Sequence, residues 1–528
     1  MPRDRWICSP LHVDAITSCN NGEFGRLLRF RNSLGRWRDW AMPMRMLKGS
    51  GEELRGELLN LGLEIDLNSF RLLNQYIQSQ RPRREVISAA ATGWQSPELF
   101  VMPNLNIGKG DAIYQSETAN LEEYRQSGTL EGWQAEIGAR CAGNPILMLG
   151  VCAGLAGPLL YHLNRQSGGF HIVGDSSTGK SSSIQAAASV WGNGEQFKRS
   201  WRSTGNGLEG IAEQRNDTLL ALDEIGEADP AEIGAVVYAI ANGVGRQRAD
   251  RTGAARATRR WRTVVFSSGE LGLSAHMAEG GKTSRAGQEI RLLDIPAQRT
   301  FGAWDELHGM SGGREFSDAL QKASVTHYGH AGPLFIRRLL ESGEVEGLSA
   351  MSAALVAQYP HNSGQEGRAA ERFALLGLAG ELAIKWGILP VPTGTAQAAM
   401  LELFESWRIG RGHGQSEDVT ILRSLSDFLS RHGDALFSAL RSDAVVKDRV
   451  GWWRDDGDTR TWLFTAEGLR RAVQGYEMTR ILTALETAGW IAARSYKERA
   501  KKVKVAGRSI WLYHLILKEE GQSSNASS

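Results

Sequence analysis

Cysteine is scarce in this chain, and the four present, Cys8, Cys19, Cys141 and Cys152, stand apart with no C-x-x-C pair. That spacing argues against a zinc ribbon or a redox motif, and free thiols fit a reducing cytoplasm. An excess of one charge sign is also missing. A formal net charge of +2 over 528 residues requires that any surface for an anionic polymer come from local clustering of Arg and Lys. The N-terminal Met-Pro-Arg-Asp-Arg-Trp lacks the apolar run of a secretory signal. Long apolar runs are limited to one, the 17 uncharged residues from Pro145 to Tyr161. That is the short limit for a bilayer span. Gly150, Gly154, Gly157 and Pro158 interrupt it, so it reads as a buried core helix, and no membrane is expected among the partners.

What is present has the patterning of a soluble, multi-domain chain without internal repeats. Residues 1–125 read as a mixed α+β N-terminal domain. In it Leu27–Arg31 and Arg36–Ala41 alternate around the turn Asn32-Ser33-Leu34-Gly35, the pattern of a hairpin. A helical stretch over 66–79 ends at Arg81-Pro82-Arg83. Residues 126–310 alternate helix and strand in the manner of a parallel sheet with crossovers. Residues 311–392 are Ala- and Leu-rich and helical, and 393–448 read as a helical connector broken by Gly410-Arg411-Gly412-His413-Gly414. Residues 449–520 form a smaller unit of helices and strands, and 521–528 are a Ser- and Asn-rich tail with the composition of a disordered terminus.

The most informative segment is residues 174–181, Gly-Asp-Ser-Ser-Thr-Gly-Lys-Ser. It follows the apolar run Phe170-His171-Ile172-Val173 and precedes an Ala-rich helical stretch from Ser182. Strand, glycine loop and helix in that order are the setting of a phosphate-binding P-loop. Backbone N–H groups of the loop and the helix N-terminus point at phosphate. Gly174, Ser176, Ser177, Thr178, Gly179, Lys180, Ser181 and Ser182 are the expected nucleotide contacts, with Lys180 on the β- and γ-phosphates and Ser181 on Mg²⁺. A second buried run, Thr218–Leu222, ends in Asp223-Glu224. Carboxylates at the carboxyl end of a parallel strand lie beside such a loop. Asp223 is expected to hold Mg²⁺ and Glu224 to orient or deprotonate the attacking water. A third run, Thr263-Val264-Val265-Phe266, ends in Ser267-Ser268-Gly269-Glu270, and a fourth, Ile290–Ile295, follows Ser284-Arg285.

Taken together, these motifs resemble a mobile-element helicase family. The resemblance rests on Gly169-Phe170-His171-Ile172-Val173-Gly174, Ser176-Ser177-Thr178-Gly179-Lys180, Asn206-Gly207-Leu208-Glu209, Leu222-Asp223-Glu224-Ile225-Gly226, Ala241-Asn242-Gly243-Val244-Gly245, Ser267-Ser268-Gly269-Glu270 and Ala286-Gly287-Gln288-Glu289-Ile290-Arg291. It reaches upstream to Trp40-Ala41-Met42-Pro43 and Gly93-Trp94, and downstream to about residue 410. The family was long catalogued as a domain of unknown function in phages, integrated islands and cassette chromosomes. It is similar to the minichromosome-maintenance helicases. The resemblance implies an AAA+ P-loop NTPase core with a helical lid, using ATP and Mg²⁺. It further implies a homo-oligomer, a hexameric ring that translocates on single-stranded or forked DNA, with a separate primase or replication initiator as a further partner. Carried onto this chain, Lys180 and Ser181 are the Walker A pair and Asp223 and Glu224 the Walker B pair. Ser267 or Ser268 takes the sensor-1 position, where Asn is common. Arg285 is the first choice for an arginine finger and Arg291 the second, and Arg372 resembles a sensor-2 arginine of the lid. An AAA+ machine that remodels protein without unwinding is the alternative.

Two basic clusters are the candidate DNA contacts. Arg246, Arg248, Arg251, Arg256, Arg259, Arg260 and Arg262 lie between the second and third apolar runs, interrupted only by Asp250. This is where ring helicases of this type insert a pore hairpin, and arginines there suit a phosphate backbone. Arg251, Arg256, Arg259 and Arg260 are the named candidates. The C-terminal unit reads as a winged helix, with helices over 466–473 and 477–488. The strands beginning at Trp490 and Ser509 flank a basic loop holding Lys501, Lys502 and Lys504. That wing serves either a nucleic-acid fork or a protein. Trp37 and Trp40 are read as core residues in preference to base-stacking ones.

Overall fold

The computed structural model describes residues 5–19, 22–116, 122–245, 258–282, 286–361, 363–410, 417–442, 446–457, 459–474, 476–495, 498–505 and 507–517. The chain divides into two compact units, Met1–Trp407 and Arg408–Ser528. The connector expected over 393–448 is thereby split: the helix Thr395–Gly410 begins in the first unit and Glu417–Leu436 lies in the second.

The first unit opens with a five-stranded sheet. Its order is Trp37–Pro43, Phe24–Arg31, Leu11–Ser18, Glu85–Ala89 and Ala112–Tyr114. The hairpin forms as its alternation predicts, with Leu28 opposite Trp40 and Phe30 opposite Arg38. Leu28, Phe30, Trp40 and Met42 bury one face against Leu54, Leu58, Leu73 and Ile77 of two helices. Trp37 departs from the expected core position and is 48% exposed. Positions 37 and 40 are an odd number of residues apart, so a strand sends them to opposite faces. A three-stranded meander follows, Gly93–Ser96, Leu99–Met102 and Leu105–Gly108. Its Trp94, Phe100, Met102 and Ile107 join the main core rather than the N-terminal one.

That main core surrounds a second five-stranded sheet, all parallel, in the order Arg199–Ser200, Thr218–Asp223, Thr263–Gly269, Gly168–Val173, Leu292–Pro296. Its three central strands are buried almost along their whole length because both faces are covered. Leu219 and Ala221 pack into the cluster that contains Ile146, Val151 and Ile184. Leu220 and Leu222, one position on, pack against Leu208, Ile233 and Ile240. All twelve residues of the helix Pro145–Ala156 are buried, as expected of a core helix. Its small residues allow the close approach: a Cβ at Gly150 would stand 2.8 Å from Phe266, and one at Gly154 2.9 Å from the Ala187 carbonyl. Among the described residues no helix is long and apolar enough to cross a membrane. The helices Gly313–Thr326, Ala331–Glu341, Leu348–Val356 and Gly364–Lys385 complete the same core.

The second unit carries a sheet in the order Phe437–Ala439, Gly451–Asp456, Thr459–Phe464, Arg508–Leu515, Ile491–Ala493. The strand Lys501–Val505 pairs with the near half of Arg508–Leu515. Helices Glu417–Leu436, Ala466–Ala472 and Met478–Thr487 pack Ile421, Leu425, Leu469, Ile481 and Leu485 onto Phe464 and Leu515.

Candidate active site

Residues 174–179 connect the Gly168–Val173 strand to the helix Lys180–Ala188. Two positions hold left-handed backbone, Ser177 at φ 62° and Gly179 at φ 102°. At Gly179 a Cβ would sit 2.8 Å from the Trp304 indole, so both backbone and space demand glycine there. The Lys180 ammonium lies in the hollow of the loop, donating to the carbonyls of Gly174 at 2.8 Å and Asp175 at 2.5 Å. Thr178 Oγ1 donates to the same Asp175 carbonyl at 2.9 Å, and Ser176 and Ser177 are exposed. The first backbone N–H groups of a helix have no intrahelical acceptor, so this end offers donors to an anion. Ser182 is placed differently from the exposed Ser176 and Ser177. Its side chain is buried and accepts from Gln321 Nε2 at 3.0 Å, because at the third helical position it turns toward the core.

Asp223 is where the side chains converge. Its Oδ1 accepts from Ser181 Oγ at 3.2 Å and from Ser268 Oγ at 2.5 Å. Its Oδ2 faces the Lys198 ammonium at 3.2 Å. The Thr218–Asp223 strand lies between Thr263–Gly269 and Arg199–Ser200, which delivers these groups from either side. Of the two candidate serines only Ser268 faces the carboxylate. Ser267 points to the other face of the sheet, accepting from Trp201 Nε1 at 2.8 Å and sharing a 2.9 Å hydrogen bond with His171 Nδ1. Glu224 holds left-handed backbone at φ 56°, a costly conformation for a side chain this long. Its backbone N–H donates to Ser268 Oγ at 3.3 Å, and its Oε1 accepts from the Gly226 N–H at 3.1 Å.

Burial and neighbouring charge set the electrostatics. At Lys198 burial alone would lower the ammonium's pKa, but the carboxylates of Asp223 and Glu195 outweigh it and hold the pKa above its usual value. Burial pushes His171 down to about 4, so the ring is neutral near pH 7 and bridges Ser267 and the Leu271 carbonyl. A hydroxyl and a carboxylate within 3.2 Å of each other are hard oxygen donors of the kind Mg²⁺ prefers, so Ser181 and Asp223 fit the cation expected there. Lys198 is the residue that sequence reasoning missed. Nothing local marks it, and it reaches Asp223 only because Ser200 is in register with Asp223 on the neighbouring strand.

Arg372 is bound within the chain, away from the loop. Its guanidinium donates to the carbonyls of Ile290 at 3.0 Å and Ser167 at 3.2 Å. Gly168 lies beneath it, where a Cβ would meet Arg372 Nη1. That is the amino end of the Gly168–Val173 strand, whereas the loop begins at its carboxyl end, about 17 Å away at the usual strand rise. Within one copy the Arg372 guanidinium thus stands at the far end of that strand from the loop. Burial, and then the nearby Arg291, lower its pKa to about 10. Arg291 is bound within the chain to the Gly287 carbonyl at 2.6 Å and to Asn242 Oδ1 at 3.2 Å, beneath the Tyr238 ring. Arg285 lies outside the described residues.

The arginine-rich segment is described only at its flanks, and Arg251 and Arg256 fall outside. The flanks pair antiparallel: Gly245 N–H donates to the Arg259 carbonyl at 2.9 Å and Trp261 N–H to the Gly243 carbonyl at 3.0 Å. Arg259 forms an ion pair with Glu213 at 3.1 Å, while Arg260 is exposed. Arg262 belongs to the scaffold, held by the fully buried Asp217 at 2.8 Å. In the second unit, Lys501, Lys502 and Lys504 stand on a strand and not in a loop, paired across to Leu512, Trp511 and Ser509. The basic segment is longer than a turn needs and alternates with Val503 and Val505, so it folds back on its neighbour.

The fold is a mixed α/β one, a parallel sheet covered on both faces with a glycine loop and paired carboxylates at the carboxyl ends of its strands. Residues 1–260 match the model of a family described as a domain of unknown function (DUF927). The match takes in the loop and Asp223-Glu224 and ends before Ser268. Among solved structures, SCCmec type IV Cch, an active helicase, aligns over 98% of this chain and 95% of its own, with a TM-score of 0.76 and 19% identity. It shares the fold. The apo C-terminal region of NrS-1 aligns over 95% of this chain and 96% of its own at 10% identity, but its TM-score of 0.27 carries no argument. No curated protein matches. The resemblance to a mobile-element helicase family once listed as a domain of unknown function agrees with the first two findings.

Proposed function

We propose that this protein is an ATP-dependent DNA helicase or translocase of a mobile genetic element or phage, acting as a ring on single-stranded or forked DNA. The observation that carries this reading is the convergence of Ser181, Ser268 and Lys198 on Asp223 beside the Lys180 loop. The strand order supports an AAA+ core. Numbered along the chain from the loop strand, the sheet reads 2-3-4-1-5, with the acidic and serine-bearing strands adjacent. In this reading Lys180 and the loop N–H groups bind the phosphates of ATP. Ser181 and Asp223 would hold Mg²⁺, which would supply charge neutralisation at the phosphates. Glu224 takes the proton of the attacking water and Ser268 keeps Asp223 and the Glu224 backbone in place. Arg285 of a neighbouring copy completes the site in a homo-oligomer, a hexamer by family likeness. Arg260 and its neighbours contact the DNA backbone, and the helices after Gly313 form the lid. The second unit is a winged helix, and a primase or initiator is a further partner.

Lys180→Ala should lose ATP binding, and Glu224→Gln should retain binding while turnover stops. Normal ATPase activity in either variant would refute the site. The ATPase rate should rise with single-stranded DNA at low salt, and Arg260→Ala should blunt that rise. Absence of DNA stimulation would favour the alternative, an AAA+ machine that remodels protein. Unwinding of forks carrying 3′ or 5′ tails, with particle mass measured alongside, would fix polarity and ring size.

A further inference from the structure

The outer face of the C-terminal hairpin carries a second feature suited to nucleic acid. Strands Lys501–Val505 and Arg508–Leu515 pair with Lys502 opposite Trp511, Lys504 opposite Ser509 and Val503 opposite Ile510. Val503, Val505, Ile510 and Leu512 form the inner face and pack on Trp452 and Leu463. The alternation of a strand therefore puts Lys502, Lys504, Ser509 and Trp511 together on the outer face. Trp511 is 46% exposed, with the Lys502 ammonium 5.2 Å from its ring centroid. Lys501 alternates away from this face and stands beside Leu512.

The charges on this face are free to act on a partner. Arg494 and Arg499, nearby in sequence, each pair with Glu486 at 2.8 Å. Lys502 and Lys504 have no carboxylate partner among the described residues. A protein-docking face has an apolar centre with a polar rim. Here one exposed indole stands among ammonium groups and a hydroxyl, while its same-face neighbour along the strand, Tyr513, is half-buried against the helix-covered core. That combination matches a polynucleotide with unpaired bases, in which cations meet phosphates and an aromatic plane stacks on a base. Inside a duplex each base is already stacked, so an exposed indole can gain only on single-stranded or frayed nucleotides.

We propose that Trp511, Lys502 and Lys504 form a binding site for single-stranded DNA, Trp511 stacking on a base and the two lysines contacting flanking phosphates. The proposal rests on the DNA-directed reading above and adds the element that recognises the unpaired strand. The test uses the full-length chain and three fluorescein-labelled DNAs: a single strand, a fork, and a duplex closed at both ends by hairpin loops tethered away from the stem. Trp511→Ala should weaken single-strand and fork binding about ten-fold, leave the duplex stem unaffected, and leave the DNA-free ATPase rate unchanged. Trp511→Phe should restore most of the loss. Lys502→Ala with Lys504→Ala should reduce the slope of log affinity against log salt by about 1.4, at about 0.7 per single-strand phosphate contact, whereas Trp511→Ala should not change that slope. Unchanged binding in both variants, with the wild type binding well, would overturn this proposal and leave the helicase reading standing. Unchanged DNA binding with altered particle mass would reassign the face to protein and overturn it equally. A wild type that binds none of the three DNAs would overturn both readings.

Discussion

Arg372 gives the sharpest test, because a structural role and a nucleotide-sensing role predict opposite results. Consider Arg372→Met, which keeps the apolar stem and removes the guanidinium. Two carbonyls, Ser167 and Ile290, lose donors at 3.2 and 3.0 Å. Hydrogen bonds from a charged donor contribute about 1.5–3 kcal/mol each. Relief of the burial that depresses the guanidinium's pKa offsets part of that sum. A net loss of about 3 kcal/mol is reasonable by the same scale. Unfolding entropy near 2 cal/mol/K per residue makes a unit the size of Met1–Trp407 lose about 1.2 °C per kcal/mol, so the melting temperature should fall by about 3–4 °C. The assay pairs thermal melting with titration of a fluorescent ATP analogue. The melt should shift and the nucleotide Kd should stay within two-fold. An unmoved melt with a ten-fold weaker Kd or lost turnover would refute the structural assignment and restore the arginine to the nucleotide.

Other predictions concern the surrounding charges. Lys198→Met removes the cation that faces Asp223 Oδ2, so half-saturation of nucleotide binding should require several-fold less Mg²⁺, on the scale of a part-buried ion pair of about 1 kcal/mol; an unchanged Mg²⁺ requirement in the same fluorescence titration would reject competition at that carboxylate. His171 is buried, with its pKa held near 4 against about 6.5 unfolded. The unfolded chain therefore takes up this proton first as pH falls. The stability contributed is complete above pH 6.5 and disappears toward pH 4, about 3 kcal/mol in all. His171→Gln should flatten the dependence of melting temperature on pH across that window, and an identical slope would count against it. Glu123 accepts from both Arg199 and Arg215, the latter 1% exposed. Glu123→Ala leaves Arg215 buried without its anion and should cost about 3–5 kcal/mol, read by denaturant unfolding; a loss below 1 kcal/mol would show the arginine finding another partner.

Local pattern made the nucleotide loop, its strand and helix, the Asp223 strand and the Leu28–Trp40 hairpin legible in the sequence. Each is a contiguous stretch whose periodicity or glycine spacing is its own cause. What stayed hidden depends on which strands become neighbours. Lys198 carries no motif and matters only through its pairing register. The choice between Ser267 and Ser268 follows from which face of a central strand each occupies, and nothing in an unbroken apolar run reveals that. Arg372 sits on a helix whose local pattern suits a lid arginine, and only the packing of that helix against the start of a strand shows where its guanidinium goes. The strand pairing of Lys501–Val505 was obscured by its lysines, which resemble a solvated loop until the valines between them meet Ile510 and Leu512.

The two strands Thr218–Asp223 and Thr263–Gly269 have a mechanical consequence. One end of the pair carries Asp223 and Ser268. The other continues into Asp217 and Arg262, clamped together by an ion pair and adjoining the base of the arginine-rich segment. The pair is short, fully hydrogen-bonded and buried on both faces, so it has almost no compliance along its length. Under the proposed function, a shift imposed at the carboxylate end would pass along this pair to Asp217 and Arg262.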